Sequence, residues 1–251
     1  MILHKLILTS NACYKAGKTI VPKGIMLHST GANNPYLRRY VGPDDGFLGK
    51  NQYSNHWNQD KPGGRQVCVH AFIGKLKDGT IATYQTLPWN HRGWHAGGKA
   101  NDTHISFEIC EDGLTDTSYF KAVYKEGVEL CAYLCKLYGL TEKDIIGHYE
   151  GHQLGIASNH GDPKNWFPKH GKSMDAFRVD VKALLSKAAS ADPIPNKDKS
   201  INIVHTVVKG DSLWAIARKY LDDGSRYKEI VTLNGLKSDV INIDQKLKIP
   251  K

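Results

Sequence analysis

The sequence has no long hydrophobic run and no recognisable leader, and both absences restrict what it can be. No apolar stretch approaches the roughly 20 residues that a membrane-spanning helix needs, so membrane insertion is not expected. Residues 1–8 are apolar but carry no basic leader and no small-residue cleavage site, which indicates synthesis in the cytoplasm without a signal peptide. A role outside the cell would then require a separate route of release.

Cysteines are few, and their number and spacing argue against a framework of disulfides. There are five of them, an odd number, and none forms a CxxC pair. A disulfide framework is therefore not expected, which also favours synthesis in a reducing compartment. Cys131 and Cys135 stand four residues apart in an apolar helical pattern, and we interpret them as buried thiols rather than metal ligands.

No nucleic-acid-binding motif, zinc finger or basic helix is present, although the net charge is +9. A basic surface favours an anionic polymer as partner, such as nucleic acid, an anionic membrane, or a cell wall with teichoic acids and peptide carboxylates. Without a motif we expect no nucleic-acid partner, and charge alone leaves the polymer unspecified.

A proline-containing segment of alternating charge, residues 191–203, predicts a linker between a domain at 1–190 and a small domain at 204–251. Strands and helices alternate in the first domain, which is therefore predicted to be α/β. Gly139 is expected to end the longer helix. The Asp78-Gly79 pair is a hairpin signal. The predicted helices are 119–138 and 174–189, and the predicted strands are 24–28, 67–73, 80–85, 105–109 and 145–146.

The small domain has a strand, helix, helix, strand order. Its first strand runs into Gly210-Asp211-Ser212, where Asp211 or Ser212 can cap the following helix. A second helix is predicted at 226–234, and alternation at 245–250 is typical of a strand. We interpret Trp214 as a core residue rather than a sugar-stacking one.

This βααβ module resembles the LysM family over its whole length. The resemblance depends on the run from Gly210 to Ala217, on Asn234, and on the run from Gln245 to Pro250. It implies binding of glycans that contain N-acetylglucosamine, peptidoglycan or chitin. The positions that it places beside the sugar are Gly210, Asp211, Ser212, Leu213, Asn234, Gly235 and Leu236.

Twelve histidines are many for this length, and two of them occupy similar positions. His28 and His148 each follow a short apolar strand, where ligands are often held. Asp162 follows fourteen residues after His148. Two imidazoles and a carboxylate suit Zn²⁺ with an open fourth position. Spacing alone does not establish such a site, since the chain has no compact HExxH pattern.

A second resemblance covers roughly residues 20–170. Its motifs, in order, are Ile25-Met26-Leu27-His28-Ser29-Thr30-Gly31, Asp78-Gly79-Thr80-Ile81, Trp94-His95-Ala96-Gly97, Ile105-Ser106-Phe107-Glu108-Ile109, Ile146-Gly147-His148 and Asp162-Pro163. Together they resemble the zinc-dependent N-acetylmuramoyl-L-alanine amidases of the Amidase_2, or peptidoglycan-recognition-protein-like, family, especially phage endolysins and bacterial autolysins. The resemblance implies a mixed central sheet flanked by helices.

The same resemblance implies one zinc ion held by His28, His148 and Asp162, and a catalytic role for Glu108. His160 stands where many members have a lysine that stabilises the oxyanion. The implied reaction is hydrolysis of the amide between N-acetylmuramic acid and L-alanine in bacterial peptidoglycan, with the LysM module holding the enzyme on the wall. A phage enzyme of this kind would be released through a holin-type pore.

Several alternatives remain open at this point. Glu108 alternates with Phe107 and Ile109, so it could be the exposed face of a strand, and His95 could either line the substrate groove or pack structurally. The chain could also be a non-catalytic recognition protein, or a zinc peptidase that cuts within the stem peptide.

Overall fold

We describe a computed structural model of the chain. It describes residues 1–113, 115–190, 203–208, 211–221, 226–236, 238–242 and 244–250. The chain divides into two compact units, Met1–Ser190 and Ala191–Lys251, and each is described by itself. Among the residues covered, no helix has the length and apolar character needed to cross a bilayer.

The first unit is built around six strands. They are β1 (Leu3–Lys5), β2 (Gly24–Ser29), β3 (Ala71–Lys75), β4 (Ile81–Gln85), β5 (His104–Ile109) and β6 (Ile145–Gly147). Its α-helices are α1 (Ala12–Lys15), α2 (Thr117–Tyr138), α3 (His148–Gln153) and α4 (Met174–Ser190). Short 3-10 helices cover Leu37–Arg39, Pro62–Gly64, Lys99–Asp102, Glu142–Asp144 and Phe167–His170.

The strands form one mixed sheet in the order β1-β4-β3-β5-β2-β6. Strand β5 pairs in parallel with β2 and β3, and β6 pairs in parallel with β2. The β3–β4 hairpin is antiparallel and turns at Asp78-Gly79, where Gly79 has φ +88°. The α/β class and the mixed sheet are confirmed. The edge strand β1 was not predicted, because three residues of mixed exposure carry no periodic signal.

One face of the sheet packs against α2 and α4. Ile25, Leu27 and Phe107 are fully buried in this core together with side chains of both helices. Helix α2 begins at an Asp116 cap, whose carboxylate accepts from the backbone N–H groups of Ser118 and Tyr119. It ends at Gly139 in the left-handed conformation, as predicted. The opposite side chains of the same strands, at alternate positions, are left to build the site.

The cysteines depart from the expectation in one respect. Cys13 and Cys68 form a disulfide, joining α1 to the segment before β3. The odd number of cysteines argued against a framework of bridges but could not exclude a single one. Cys110, Cys131 and Cys135 are free and buried, in agreement with the interpretation of the last two as core thiols.

The C-terminal unit contains β7 (Ile203–Thr206), α5 (Leu213–Leu221), α6 (Tyr227–Asn234) and β8 (Lys246–Ile249), which is the predicted βααβ order. Strands β7 and β8 pair antiparallel. Leu213, Ile216 and Ala217 are buried in its core. Trp214 is 50% exposed, so its interpretation as a core residue was wrong. At about 100° per residue, the position after Leu213 turns away from the inward face.

Candidate active site

The site lies where three neighbouring parallel strands end. His28 is in β2, directly opposite Glu108 of β5 in the register of the pair. His148 is the first residue of α3, immediately after β6. Because the carboxyl ends of parallel strands meet at one edge of the sheet, the three side chains are brought together although 80 and more positions separate His28 from the others. Asp162 joins them from the loop after α3.

His28, His148 and Asp162 form a cluster whose ligand atoms all lie within 4.8 Å of one another. His28 Nδ1 is 3.0 Å from Asp162 Oδ2 and 3.1 Å from His148 Nδ1. His148 Nδ1 is 3.5 Å from Asp162 Oδ1. Both imidazoles therefore present Nδ1 to the carboxylate, and all three side chains face one shared point.

The chemistry of this donor set fits a metal ion. Two imidazole nitrogens and one carboxylate are a zinc-type set, and only three protein ligands leave a position open. Burial works against the charge of Asp162, but hydrogen bonds from His148 and His28 outweigh it and hold the Asp162 pKa well below its usual range. Burial lowers the His28 pKa, so the neutral, ligating form of its ring is favoured.

Glu108 lies beside this cluster with one carboxylate oxygen unused. Its Oε2 is buried and has no hydrogen-bond partner among the described residues. Burial, followed by the charges of Asp162 and Glu111, raises the Glu108 pKa well above its usual range. A carboxyl group that has a raised pKa and lines a cleft is suited to proton transfer. Glu108 is partly buried in β5 with one oxygen fully buried, which does not fit the alternative of an exposed strand face.

The outward nitrogens of the two histidines are also engaged. His28 Nε2 is 3.0 Å from His95 Nδ1. His148 Nε2 is 3.2 Å from Ser158 Oγ, which is itself 3.0 Å from His160 Nδ1. Sequence reasoning missed Ser158, since a lone serine in a loop carries no signal beyond its position two residues before His160.

A cleft of about 290 Å³ opens over the cluster. Its wall includes Trp57 and Arg65 as well as the predicted site residues His28, His95, Glu108, His148, His160 and Asp162. The first unit therefore brings all six predicted residues into one cavity. Trp57 and Arg65 had not been predicted, because they come from a loop region without a regular pattern.

In the C-terminal unit, several predicted sugar-contacting side chains already have internal partners. The Asp211 carboxylate binds His205 Nε2 at 2.7 Å and accepts from the Val208 backbone N–H. The Ser212 hydroxyl accepts from Ala215 N–H as a helix cap. Asn234 accepts from Lys248 N–H and donates to its carbonyl, which joins α6 to β8.

The remaining predicted positions of that unit differ in exposure. Leu213 is buried in the core, and Leu236 packs partly against it. Gly235 is exposed and has φ +61°, the left-handed conformation that ends α6. Gly210 lies outside the described residues. Backbone groups of these loops and exposed side chains thus remain as the surfaces open to a ligand.

Sheet topology and site together describe an α/β protein with a His-His-Asp cluster that could bind a metal. The chain belongs to the Amidase_2 family, whose model, described as N-acetylmuramoyl-L-alanine amidase, matches residues 18–165. Residues 205–250 match the LysM domain.

Individual relatives agree with the family. A probable N-acetylmuramoyl-L-alanine amidase of Bacillus licheniformis is 29% identical over 133 residues, which are 53% of this chain and 32% of the relative. The aligned part thus spans about a third of that relative's length.

Among solved structures, the Staphylococcus aureus hydrolase AmiA in complex with its ligand has a TM-score of 0.53 at 20% identity, covering 76% of this chain and 86% of that one. The catalytic domain of XlyA has a TM-score of 0.51 at 20% identity, covering 72% and 99%. These likenesses establish the fold.

Proposed function

We propose that the chain is a zinc-dependent hydrolase of bacterial peptidoglycan that cleaves the amide between the lactyl group of N-acetylmuramic acid and L-alanine. The observation that carries this proposal is the meeting of His28, His148 and Asp162 around one point. Beside them lies Glu108 Oε2, which has no hydrogen-bond partner in the part of the chain that the structure describes. Family membership supports the choice of substrate.

The metal and Glu108 divide the chemistry between them. Zn²⁺ bound by His28, His148 and Asp162 would polarise the scissile carbonyl and acidify water. Glu108 Oε2 accepts the proton of the attacking water and returns it to the leaving nitrogen, so the amine departs neutral. The raised Glu108 pKa suits this second step, since a weaker acid retains its proton until the nitrogen can accept it.

A chain of hydrogen bonds from His148 through Ser158 determines which ring nitrogen of His160 carries the hydrogen. With His148 Nδ1 turned toward the cluster, His148 Nε2 carries the hydrogen and donates to Ser158 Oγ. The Ser158 hydroxyl then donates to His160 Nδ1, so the proton of a neutral His160 lies on Nε2. That N–H can donate to the developing oxyanion, a role that contributes on the order of 100-fold in rate.

The second domain, proposed at 204–251 after a linker at 191–203, would hold the enzyme on its insoluble substrate. Binding to wall glycan keeps the local concentration of scissile bonds high. The glycan is proposed to contain N-acetylglucosamine, with the Asp211–Leu213 and Asn234–Leu236 stretches beside it. We also propose synthesis in the cytoplasm and release to the wall through a holin-type pore.

The test is digestion of purified cell walls by the full chain, with and without a chelator and added zinc, followed by mass spectrometry of the products. We expect turbidity to fall, chelation to stop the fall and zinc to restore it. The products should carry free muramic lactyl groups and new N-terminal L-alanine.

Other outcomes point elsewhere. Wall binding without zinc-restored clearing would indicate a recognition protein. A new N-terminus other than L-alanine would indicate a peptidase that cuts within the stem peptide.

A further inference from the structure

His28 has both ring nitrogens engaged, and the two sides differ. Its Nδ1 faces Asp162 and His148, while its Nε2 faces His95 Nδ1 at 3.0 Å. The rings of His28 and His95 meet edge to face, with centroids 5.2 Å apart. His28 is 2% exposed, so water cannot easily replace a missing partner.

Only one arrangement of protons satisfies this contact and leaves a ligand. A neutral imidazole carries one hydrogen, and a metal must bind the nitrogen without it. Binding through Nδ1 therefore places the His28 hydrogen on Nε2, where it meets His95 Nδ1. His95 must then accept this hydrogen bond and carry its own hydrogen on Nε2, the atom that is buried without a partner among the described residues.

We propose that His95 is a positioning residue: by accepting the Nε2–H of His28 it fixes the tautomer and ring orientation that present His28 Nδ1 to the metal. The inference rests on the proposed zinc site. The sequence left open whether His95 lines the substrate groove or packs structurally, and the proposal gives it a third role, in which it acts through a ligand.

The loop that carries His95 is fixed before any ligand arrives. The Asn101 side-chain oxygen accepts from the backbone N–H groups of His95 and Ala96 at 2.9 and 2.8 Å. Trp94 exchanges two backbone hydrogen bonds with Cys68, and Ser158 N–H donates to the Ala96 carbonyl. These bonds fix the main chain around His95 and therefore the direction in which its side chain leaves the loop toward His28.

A second buried histidine, His70, contacts the segment that leads into the same loop. His70 Nδ1 accepts from the Ser106 backbone N–H at 3.0 Å, so its hydrogen lies on Nε2 and is donated to the His91 carbonyl at 2.7 Å. Gly93 lets both rings approach: a Cβ there would lie 2.9 Å from His95 Cδ2 and 3.1 Å from His70 Cε1. Glycine at this position thus leaves room for the His95 ring.

The experiment compares the zinc affinity of three full-length variants by competition with a chromophoric chelator. His95→Phe keeps a ring but has no acceptor, and leaves the His28 N–H buried and unpaired. His95→Asn has a side-chain oxygen near the position of Nδ1 and retains the acceptor. His152→Phe alters an exposed histidine on α3 and serves as the matched control.

We expect His95→Phe to weaken zinc binding about 10- to 100-fold, the usual effect of removing such a partner. His95→Asn should lose less than about 10-fold and the control should match the wild type. Unchanged zinc affinity in a folded His95→Phe protein would overturn the proposal, and a raised KM in both His95 variants at wild-type zinc affinity would restore the substrate-contacting role. If the wild-type chain binds no zinc, the proposed function itself is wrong.

A measurement on the zinc-loaded wild type decides the question even if His95→Phe does not fold. Two-bond ¹H–¹⁵N correlations of the imidazoles report which nitrogen carries the hydrogen. We expect His28 to be protonated at Nε2 and His95 at Nε2. A His28 hydrogen on Nδ1 would contradict the assignment, whatever the activity.

Discussion

The two units of the chain differ in how deeply the polar residues of their predicted sites are buried. In Met1–Ser190, His28, His70 and His148 are almost completely buried. The carboxyl of Glu108 has a buried oxygen that meets no hydrogen-bond partner within the described ranges. In the C-terminal unit, Ser212 and Gly235 are exposed, and the carboxylate of Asp211 is satisfied locally by His205 and Val208.

Under the proposed function, this difference separates chemistry in the first unit from adhesion in the second. Burial lowers the pKa values of His28 and His70 and raises that of Glu108, because water cannot stabilise their charged forms. A group with a shifted pKa in a cleft is suited to exchanging protons with a substrate. Exposed groups on loops and helix ends can contact a polymer without such a cost. The comparison predicts that substitutions in the first unit change rate or metal binding by large factors, whereas those in the second unit change binding moderately.

The largest effect is expected for His148→Ala. The substitution removes one of the three proposed ligands and leaves the Asp162 carboxylate with one imidazole partner, so zinc and wall cleavage should both be lost. Zinc content after dialysis and the rate of wall clearing measure the two effects. A zinc-loaded His148→Ala protein that still clears walls would place the metal elsewhere.

Glu108→Gln should separate chemistry from metal binding. Glutamine has nearly the same shape but cannot accept the proton of water, so we expect a loss of about 10²- to 10⁴-fold in cleavage rate with the zinc content unchanged. The rate of release of new N-terminal alanine is the measurement. If zinc is lost to the same extent as in His148→Ala, Glu108 belongs to the ligand set instead.

The fold of the first unit was largely predictable because its signals are local. Apolar strands such as 24–28 and the long helix ending at Gly139 have patterns that survive in the structure with shifts of a few residues. The edge strand β1 was missed because it is three residues long and held by pairing with β4, a distant segment.

The site was predictable in part, for a different reason. His28 lies near the end of an apolar strand and His148 directly follows one, and the resemblance assigned Glu108 and Asp162. No spacing reveals that Ser158 joins His148 to His160 or that His95 faces His28. Such contacts depend on side-chain orientation across segments that are 67 positions apart in the case of His28 and His95. The burial of Trp214 was predicted wrongly because the sequence of a short helix does not show which side of the helix a large apolar residue occupies.

A smaller effect concerns acid stability and His70. Burial lowers the His70 pKa from 6.5 to about 4, so between these values the unfolded chain holds the proton more readily than the folded one. The neutral His70 thus contributes its full share of stability above pH 6.5, and this share is lost as the pH falls toward 4. The loss amounts to at most about 3 kcal/mol.

We expect the free energy of unfolding of His70→Gln, measured with a chelator present, to be lower at pH 7 but to fall less steeply from pH 6.5 to 4 than that of the wild type. Parallel pH curves for the two proteins would contradict the buried neutral state of His70. Chelation matters because zinc binding would add its own pH dependence.

The smallest effect is expected in the C-terminal unit, for Trp214→Ala. Half of this side chain is exposed on α5. We expect its indole to stack on a sugar ring about as strongly as two aromatic side chains stack on each other, which is about 0.5–1.5 kcal/mol or roughly a 2- to 10-fold change in affinity. Co-sedimentation with purified peptidoglycan should be measured in a Glu108→Gln background, so that the wall is not digested during binding. Val204→Ala, at an exposed apolar position of β7, is the matched control. Equal binding curves for the two variants would assign the contact to the loop backbone at 211–213 and 234–236. A loss far beyond 10-fold would mean that one exposed side chain dominates the affinity for the wall. That result would contradict the comparison, which predicts only moderate effects for substitutions in the second unit.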